Sequence, residues 1–283
     1  MYFALDIPNF AAYNDPRLVA ELAHEAEESG WDGFFLWDHI NYVIRGSQVQ
    51  ETPVMADPWI ELAAIAMRTK RIKIGPMVTP LPRRRPWKLA REAVTLDHLS
   101  EGRLILGIGL GSDRSREYSS FGEVSDPKVH GEMLDEGLEL LAKLWSGEEF
   151  SFDGNHYHLS QVRFLPTPRQ QPRIPVWIAG YWPSKKPFRR AAQWDGIFPL
   201  TAGLTMKPED FRASIDYTKS QRTSTSPFEV IASGQTSGAE KAEDAATVAA
   251  FAEGGATWWL ECFYPHHTPE QVRKRIQQGP PKA

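Results

Sequence analysis

The sequence predicts an α/β fold closed into a (β/α)8 TIM barrel, one domain over residues 1–283 with insertions on its carboxyl-terminal face. Three observations carry this. Eight short apolar runs occur, at residues 2–7, 33–37, 71–78, 103–109, 174–179, 196–200, 228–233 and 257–263, most of them nearly continuous, as in parallel strands buried on both faces. Amphipathic segments separate them, and strand alternating with helix argues for a parallel sheet. The 283 residues suit one closed barrel, which typically needs ~250. A doubly wound open sheet is the weaker alternative, because no glycine-rich phosphate turn follows the first run.

Taken in order, Tyr2-Phe3-Ala4-Leu5-Asp6-Ile7 lacks a basic leader region and meets an acid early, so it reads as a first strand and not a signal peptide. Asp15-Pro16 and Asp57-Pro58 each set a capping acid before a proline at the first helical position. Leu18, Leu22 and Ala26 form one apolar stripe, and Gly30 ends that helix. Residues 40–56 follow the second run as a loop, read as a mobile lid. Residues 111–126 follow the fourth, and from Asp126-Pro127 a long helix runs to about residue 146. The alternation around Asp153-Gly154 predicts a hairpin. In a barrel, loops after the strands build the active face.

Composition narrows the function classes. The formal charge of −4 comes from both signs spread along the chain, without the basic footprint of a nucleic-acid binder. Cys262 is the single cysteine, which excludes disulfide frameworks and thiolate clusters within one chain and favours a reducing, cytoplasmic setting. No apolar run approaches the ~18 residues of a membrane span. Of ten tryptophans, Trp37, Trp59, Trp87 and Trp182 sit beside prolines or at strand ends, as aromatic walls for a planar ligand or as core filling.

Several residues could carry chemistry. His39 and Asp38 end the second strand, so they project into the barrel mouth. An imidazole there can move a proton or steady negative charge, or it can simply be satisfied by backbone, while Asp38 could fix its tautomer or turn outward to hold a neighbouring backbone. Gly107 and Gly109 permit close approach to a flat ring, or serve barrel packing. Gly180, Tyr181, Ser184, Lys185 and Arg189 follow the fifth strand and open a helix. That arrangement suits a phosphate, or is a solvated basic helix start. His156-x-His158 has metal-ligand spacing but falls in the hairpin, so no metal site is expected. His266 and His267 follow the last strand and could touch substrate or phosphate, while Glu261 could be a buried salt-bridge partner.

The stretch Ile74-Gly75-Pro76-Met77-Val78-Thr79-Pro80, then Arg85-Pro86, Leu89-Ala90-Arg91-Glu92, Thr95-Leu96-Asp97 and Leu99-Ser100-Glu101-Gly102-Arg103-Leu104, resembles the luciferase-like monooxygenase superfamily. So do Gly107-Ile108-Gly109-Leu110-Gly111, Glu117-Tyr118, Phe121-Gly122, Leu144-Trp145-Ser146-Gly147-Glu148, Pro175-Val176-Trp177-Ile178-Ala179-Gly180, and Ala191-Ala192 with Asp195-Gly196. The motifs occur in order over roughly residues 1–200.

The resemblance implies FMN or the deazaflavin coenzyme F-420 at the carboxyl ends of the strands, for hydride transfer or oxygen activation. It implies that His39 lies against the ring and that a cis peptide at Met77–Val78, beside Thr79, supports the ring's back, the alternative there being a trans peptide in an ordinary strand. Leu110 stands where an FMN-binding relative can place a phosphate-binding arginine, which shifts weight toward F-420 or another phosphate site. Arg83, Arg84 and Arg85 would hold the acidic tail of a deazaflavin, or form a solvated loop. The implied partners are a small organic substrate, a flavin or F-420 reductase, and a second copy of the chain as a homodimer. Two other classes stay open: a non-catalytic flavin-binding barrel and a metal-dependent hydrolase barrel.

Overall fold

The structure is a computed structural model that describes residues 1–43, 52–202 and 206–281. Its barrel strands are β1 (Tyr2–Ile7), β2 (Gly33–Leu36), β3 in two pieces (Lys73–Pro76 and Thr79–Pro80), β4 (Leu106–Gly109), β5 (Val176–Tyr181), β6 (Gly196–Leu200), β7 (Glu229–Gly234) and β8 (Trp258–Cys262). All neighbours are parallel, in the order β3-β2-β1-β8-β7-β6-β5-β4. The ring closes where β3 meets β4, with Thr79 opposite Ile108 and Ile74 opposite Leu104. Each of the eight apolar runs supplies a strand.

Helices α1 (Pro16–Glu28), α2 (Pro58–Arg68), α3 (Pro86–Leu99), α4 (Pro127–Trp145), α5 (Lys185–Ala191), α6 (Pro208–Gln221), α7 (Lys241–Glu253) and α8 (Pro269–Gln277) follow the strands in turn. The Asp-Pro starts work as capping chemistry requires. Asp15 accepts from Arg17 N, Asp57 from Trp59 N and Ile60 N, and Asp126 from Lys128 N. Gly30, at φ +84°, takes the left-handed conformation that ends α1.

Two strands differ from the sequence expectation. The run 71–78 is broken at Met77–Val78, and that peptide bond is cis. The run 103–109 starts its strand only at Leu106, because Arg103 is spent on another task. Its buried guanidinium donates to Ala66 O, Thr69 O and Thr69 Oγ1 at the end of α2 and to Ile72 O before β3. These carbonyls include helix-terminal acceptors that have no intrahelical donor.

The interior separates into two populations. Ala4, Phe35, Ile105, Trp177, Ile231 and Trp258 fill the barrel itself. Leu5, Leu36, Ile74, Leu106, Val176 and Ile178, pointing the other way, pack between strands and helices. The hairpin pairs Glu149–Asp153 with His158–Arg163 and lies outside the barrel, Tyr157 against Trp87 and Phe164 beneath Arg91. Of the expected lid, residues 44–51 lie outside the described residues. Among the described residues, no helix is long and apolar enough to cross a membrane.

Candidate active site at the carboxyl mouth of the barrel

Strand alternation decides which side chains reach the mouth. Ala4 and Phe35 point into the barrel, so Asp6 and Trp37, two residues on, occupy the next layer toward the carboxyl end. Trp37 Nε1 donates to Asp6 Oδ2 at 3.0 Å. The other oxygen, Oδ1, is buried with no partner among the described residues. Burial pushes the Asp6 carboxyl well above the usual range, only partly opposed by the Trp37 bond, and this buried acid lies under the mouth. Phe10, Trp37, Tyr42 and Tyr264 form an aromatic wall around His39, with Phe10 and Tyr42 stacked at 4.4 Å and Trp37 edge-on to Tyr264 at 6.1 Å. A planar ring with hydrogen-bond acceptors fits this combination.

His39 stands three residues beyond the end of β2 with its side chain 28% exposed. Its Nδ1 lies 3.0 Å from Glu117 Oε2. Glu117 Oε1 accepts from Ile40 N at 2.9 Å and from Arg83 Nη1 at 2.5 Å. Burial would raise the Glu117 carboxyl, but the bond and charge of His39, the Arg83 charge and the Ile40 N–H outweigh it and hold the group below its ordinary range. An ionised carboxylate only accepts, so the neutral imidazole carries its proton on Nδ1 and presents a lone pair at Nε2.

Asp38 does something other than fix that tautomer, and the expectation is corrected on this point. Its buried carboxylate accepts from Thr79 Oγ1 at 2.7 Å, Arg83 Nη2 at 2.5 Å, Arg84 Nη2 at 2.9 Å and, more weakly, Trp59 Nε1 at 3.4 Å. Burial would raise it too, but Arg84, then Arg83 and the Thr79 bond, hold it below the carboxylate norm. The basic run is corrected with it. Arg83 and Arg84 are neither a solvated loop nor free to bind an acidic tail, with side chains 4% and 17% exposed in this ion-pair network. Arg85 alone of the three is exposed, near the Trp87 ring. Thus Asp38 anchors the segment after β3 to the end of β2, and Arg83 passes that anchor to Glu117.

The glycines of β4 meet the break in β3. A Cβ on Gly109 would lie 2.8 Å from Val78 Cγ2, and one on Gly107 would lie 2.4 Å from Pro76 O and 3.0 Å from Met77 Sδ. Their side-chain space is filled by the Met77–Val78 turn, so barrel packing accounts for both. Gly180 likewise leaves room for Pro187, whose Cβ would lie 2.3 Å from an added methyl. Beyond it Tyr181, Ser184, Lys185 and Arg189 are exposed at the start of α5, and Lys185 Nζ sits 3.7 Å from the Trp182 ring centroid.

The remaining candidates resolve simply. Glu261 is a buried salt-bridge partner, 3.4 Å from Arg275 and accepting from Thr236 and Trp259. His267 is tied into its own turn through Nδ1 and Tyr264, and His266 is exposed. His156 and His158, for which no acidic partner was evident, bond separately to Glu132 and Asp153. Glu117 and Asp6 are the site groups that sequence reasoning left unassigned. An acid inside an apolar strand marked Asp6, whereas Glu117 lies 78 residues from His39.

Known proteins resemble this chain in sequence and in fold. An F420-dependent glucose-6-phosphate dehydrogenase of Gordonia bronchialis is 33% identical over 172 residues, 60% of this chain and 48% of that protein. The oxygenase component of a flavin-dependent trigonelline monooxygenase of Acinetobacter baylyi is 28% identical over 172 residues, 60% of this chain and 44% of that protein. The chain therefore spans about half the length of these relatives. The monooxygenase RslO1 of Streptomyces bottropensis superposes with a TM-score of 0.78 over 98% of this chain and 97% of that one, at 19% identity, which shows a shared fold. The family model for luciferase-like monooxygenases matches residues 5–279, and the chain belongs to that family.

Proposed function

We propose that this protein is an oxidoreductase that holds the deazaflavin coenzyme F-420 across the carboxyl mouth and acts on a small organic substrate. The observation that carries the proposal is the His39–Glu117 pair, an imidazole whose Nε2 has no partner among the described residues, set into an aromatic wall above the buried Asp6. The bound coenzyme would supply two-electron hydride chemistry. The chain's own part is to move the accompanying proton at His39 Nε2, with Glu117 keeping the ring oriented. Asp6 would donate a hydrogen bond to the ring, Trp37 would help exclude water, and Asp38 would hold the mouth in shape. In this proposal Met77, Val78 and Thr79 back the ring, with Gly107 and Gly109 behind them. Gly180, Tyr181, Ser184, Lys185 and Arg189 face the phosphate end. Leu110, in place of an arginine, favours F-420 over FMN.

FMN is the second reading, favoured by the likeness to the trigonelline monooxygenase component. A homodimer, supplied by an F-420 or flavin reductase, completes the proposal.

Titration of the apo protein with F-420 and with FMN, followed by fluorescence quenching, tests it. Tight binding of F-420 over FMN is expected, and His39→Ala should lower turnover by about 10²- to 10⁴-fold while leaving cofactor affinity nearly unchanged. Affinity without turnover across an alcohol and carbonyl panel would identify a silent binder. Stoichiometric zinc with affinity for neither cofactor would overturn the proposal in favour of a hydrolase.

A further inference from the structure

We propose that Asn9 is a positioning residue for His39: its buried side-chain amide takes over the pairing that the backbone after β1 gives up, and so sets where the imidazole stands at the mouth. The inference deepens the proposed function and rests on the role given there to His39.

The parallel ladder between β1 and β2 shows what is missing. Pairing runs from Ala4 with Gly33 to Ile7 with Leu36, and Trp37 N then donates to Ile7 O at 2.9 Å. Two residues further on, a regular ladder would have His39 N donate to Asn9 O. That oxygen is already taken. The chain after β1 turns toward the segment that leads into α2, where Asn9 O accepts from Ala56 N at 2.9 Å and Phe10 pairs with Met55. The His39 backbone would be left without its strand partner, and an unpaired backbone group shielded from water is costly.

The Asn9 side chain fills the gap, and it is fully buried. Its Oδ1 accepts from His39 N at 3.2 Å, and its Nδ2 donates to His39 O at 2.9 Å and to Ala56 O at 2.7 Å. A carboxamide carries the donors and acceptor of a peptide group, so it pairs with His39 as a strand residue would. The three bonds agree on one orientation of the amide, because the flipped one sets its oxygen against two carbonyls. Aspartate would keep the acceptor without a donor, and serine has a single proton to give.

The peptide group whose oxygen Asn9 holds also carries the Ile40 N–H, which donates to Glu117 Oε1 at 2.9 Å. One peptide is therefore fixed at both ends, by Asn9 from the β1 side and by Glu117 from the loop after β4. The His39 ring hangs from it with Nδ1 3.0 Å from Glu117 Oε2. Without Asn9 the peptide is free to tilt, and Glu117 alone does not define where Nε2 points.

The test reads the His39 ring by nitrogen–proton spectroscopy of the isotope-labelled apo protein, in wild type, in Asn9→Ala and in the isosteric Asn9→Asp. Wild type should show a protected Nδ1 proton bonded to Glu117. In both variants that proton should exchange about tenfold faster or be lost, while the backbone amide signals of α5 to α8 stay in place. Turnover with F-420 should fall about 10²-fold in kcat with KM nearly unchanged, the cost of a misplaced group. A general loosening of the fold would not single out the ring proton. An Nδ1 signal unchanged in either folded variant would overturn the proposal. Should neither variant fold, the wild-type protein decides: both Asn9 Nδ2 protons should be protected from exchange, and exchange at the rate of an exposed amide would overturn it. The ring signal needs no turnover, so full activity in His39→Ala would strike the proposed function and leave the Asn9 link to be judged by the spectrum.

Discussion

Replacing Glu117 by glutamine exchanges one oxygen for an NH2 group and, on this geometry, inverts the imidazole it holds. Glu117 Oε1 serves Ile40 N and Arg83 Nη1 together, whereas Oε2 faces only His39 Nδ1. The glutamine oxygen keeps the first two donors, which leaves the amide NH2 pointing at Nδ1. The neutral ring must then accept there and carry its proton on Nε2, so the lone pair at the mouth is lost. A comparable inversion in the Ser-His-Asp template costs about 10⁴ in kcat. Because His39 is partly exposed and can turn, a fall on the order of 10²–10³ is expected. Folding should lose only about 1–3 kcal/mol, since Arg83 keeps its bond to Asp38. The direct assay is the long-range nitrogen–proton correlation spectrum of the His39 ring, which separates the two tautomers without any substrate. A proton that stays on Nδ1 in Glu117→Gln would refute the reasoning, as would a neutral wild-type ring protonated on Nε2.

Asp38→Asn removes the charge facing two buried guanidiniums and should cost about 3–5 kcal/mol in a denaturant midpoint measurement. Gly109→Ala forces a methyl to 2.8 Å from Val78 and should cost about 1–3 kcal/mol, read as a lowered Tm. Glu61 is buried and raised by burial, with Asp57 and Asp15 adding to it, to about 8. An acid raised on folding binds more protons folded than unfolded, so its effect is a loss of stability as pH climbs from 4.5 toward 8. Glu61→Gln should therefore add about 2–4 kcal/mol at pH 8 and little at pH 4, by urea unfolding at the two pH values. Asp38 and Glu117, held low, act with the opposite sign. Their stability is present above the ordinary carboxylate range and is lost as pH falls through their folded values, so Glu117→Gln should flatten the acid limb of unfolding.

The barrel was legible in the sequence because its signals are local. A doubly buried strand must be apolar over its whole length, and Asp15, Asp57 and Asp126 announce helices through bonds to their own next residues. His39 was legible because the end of a barrel strand opens into the mouth. Its partner was not, since Glu117 reaches it only through closure of the ring between β3 and β4. Arg83 and Arg84 were misread for the same reason. Three adjacent arginines look solvated until a buried aspartate from another strand is placed against two of them. Gly107 and Gly109 could be read as ring contacts or as packing, and only the turn at Met77–Val78 shows what occupies their side-chain space.

One carboxylate gripping two guanidiniums, one of which grips a second carboxylate, makes a chain of custody between segments that are distant in sequence. Anyone grafting residues 111–126 from a relative to alter substrate range must carry Glu117 with the graft or supply another anion for Arg83. A transplant that omits it would disturb the anchoring of β2 and β3 as well as the pocket. Failed loop swaps in this scaffold should thus be rescued by restoring charge balance, before any tailoring of shape.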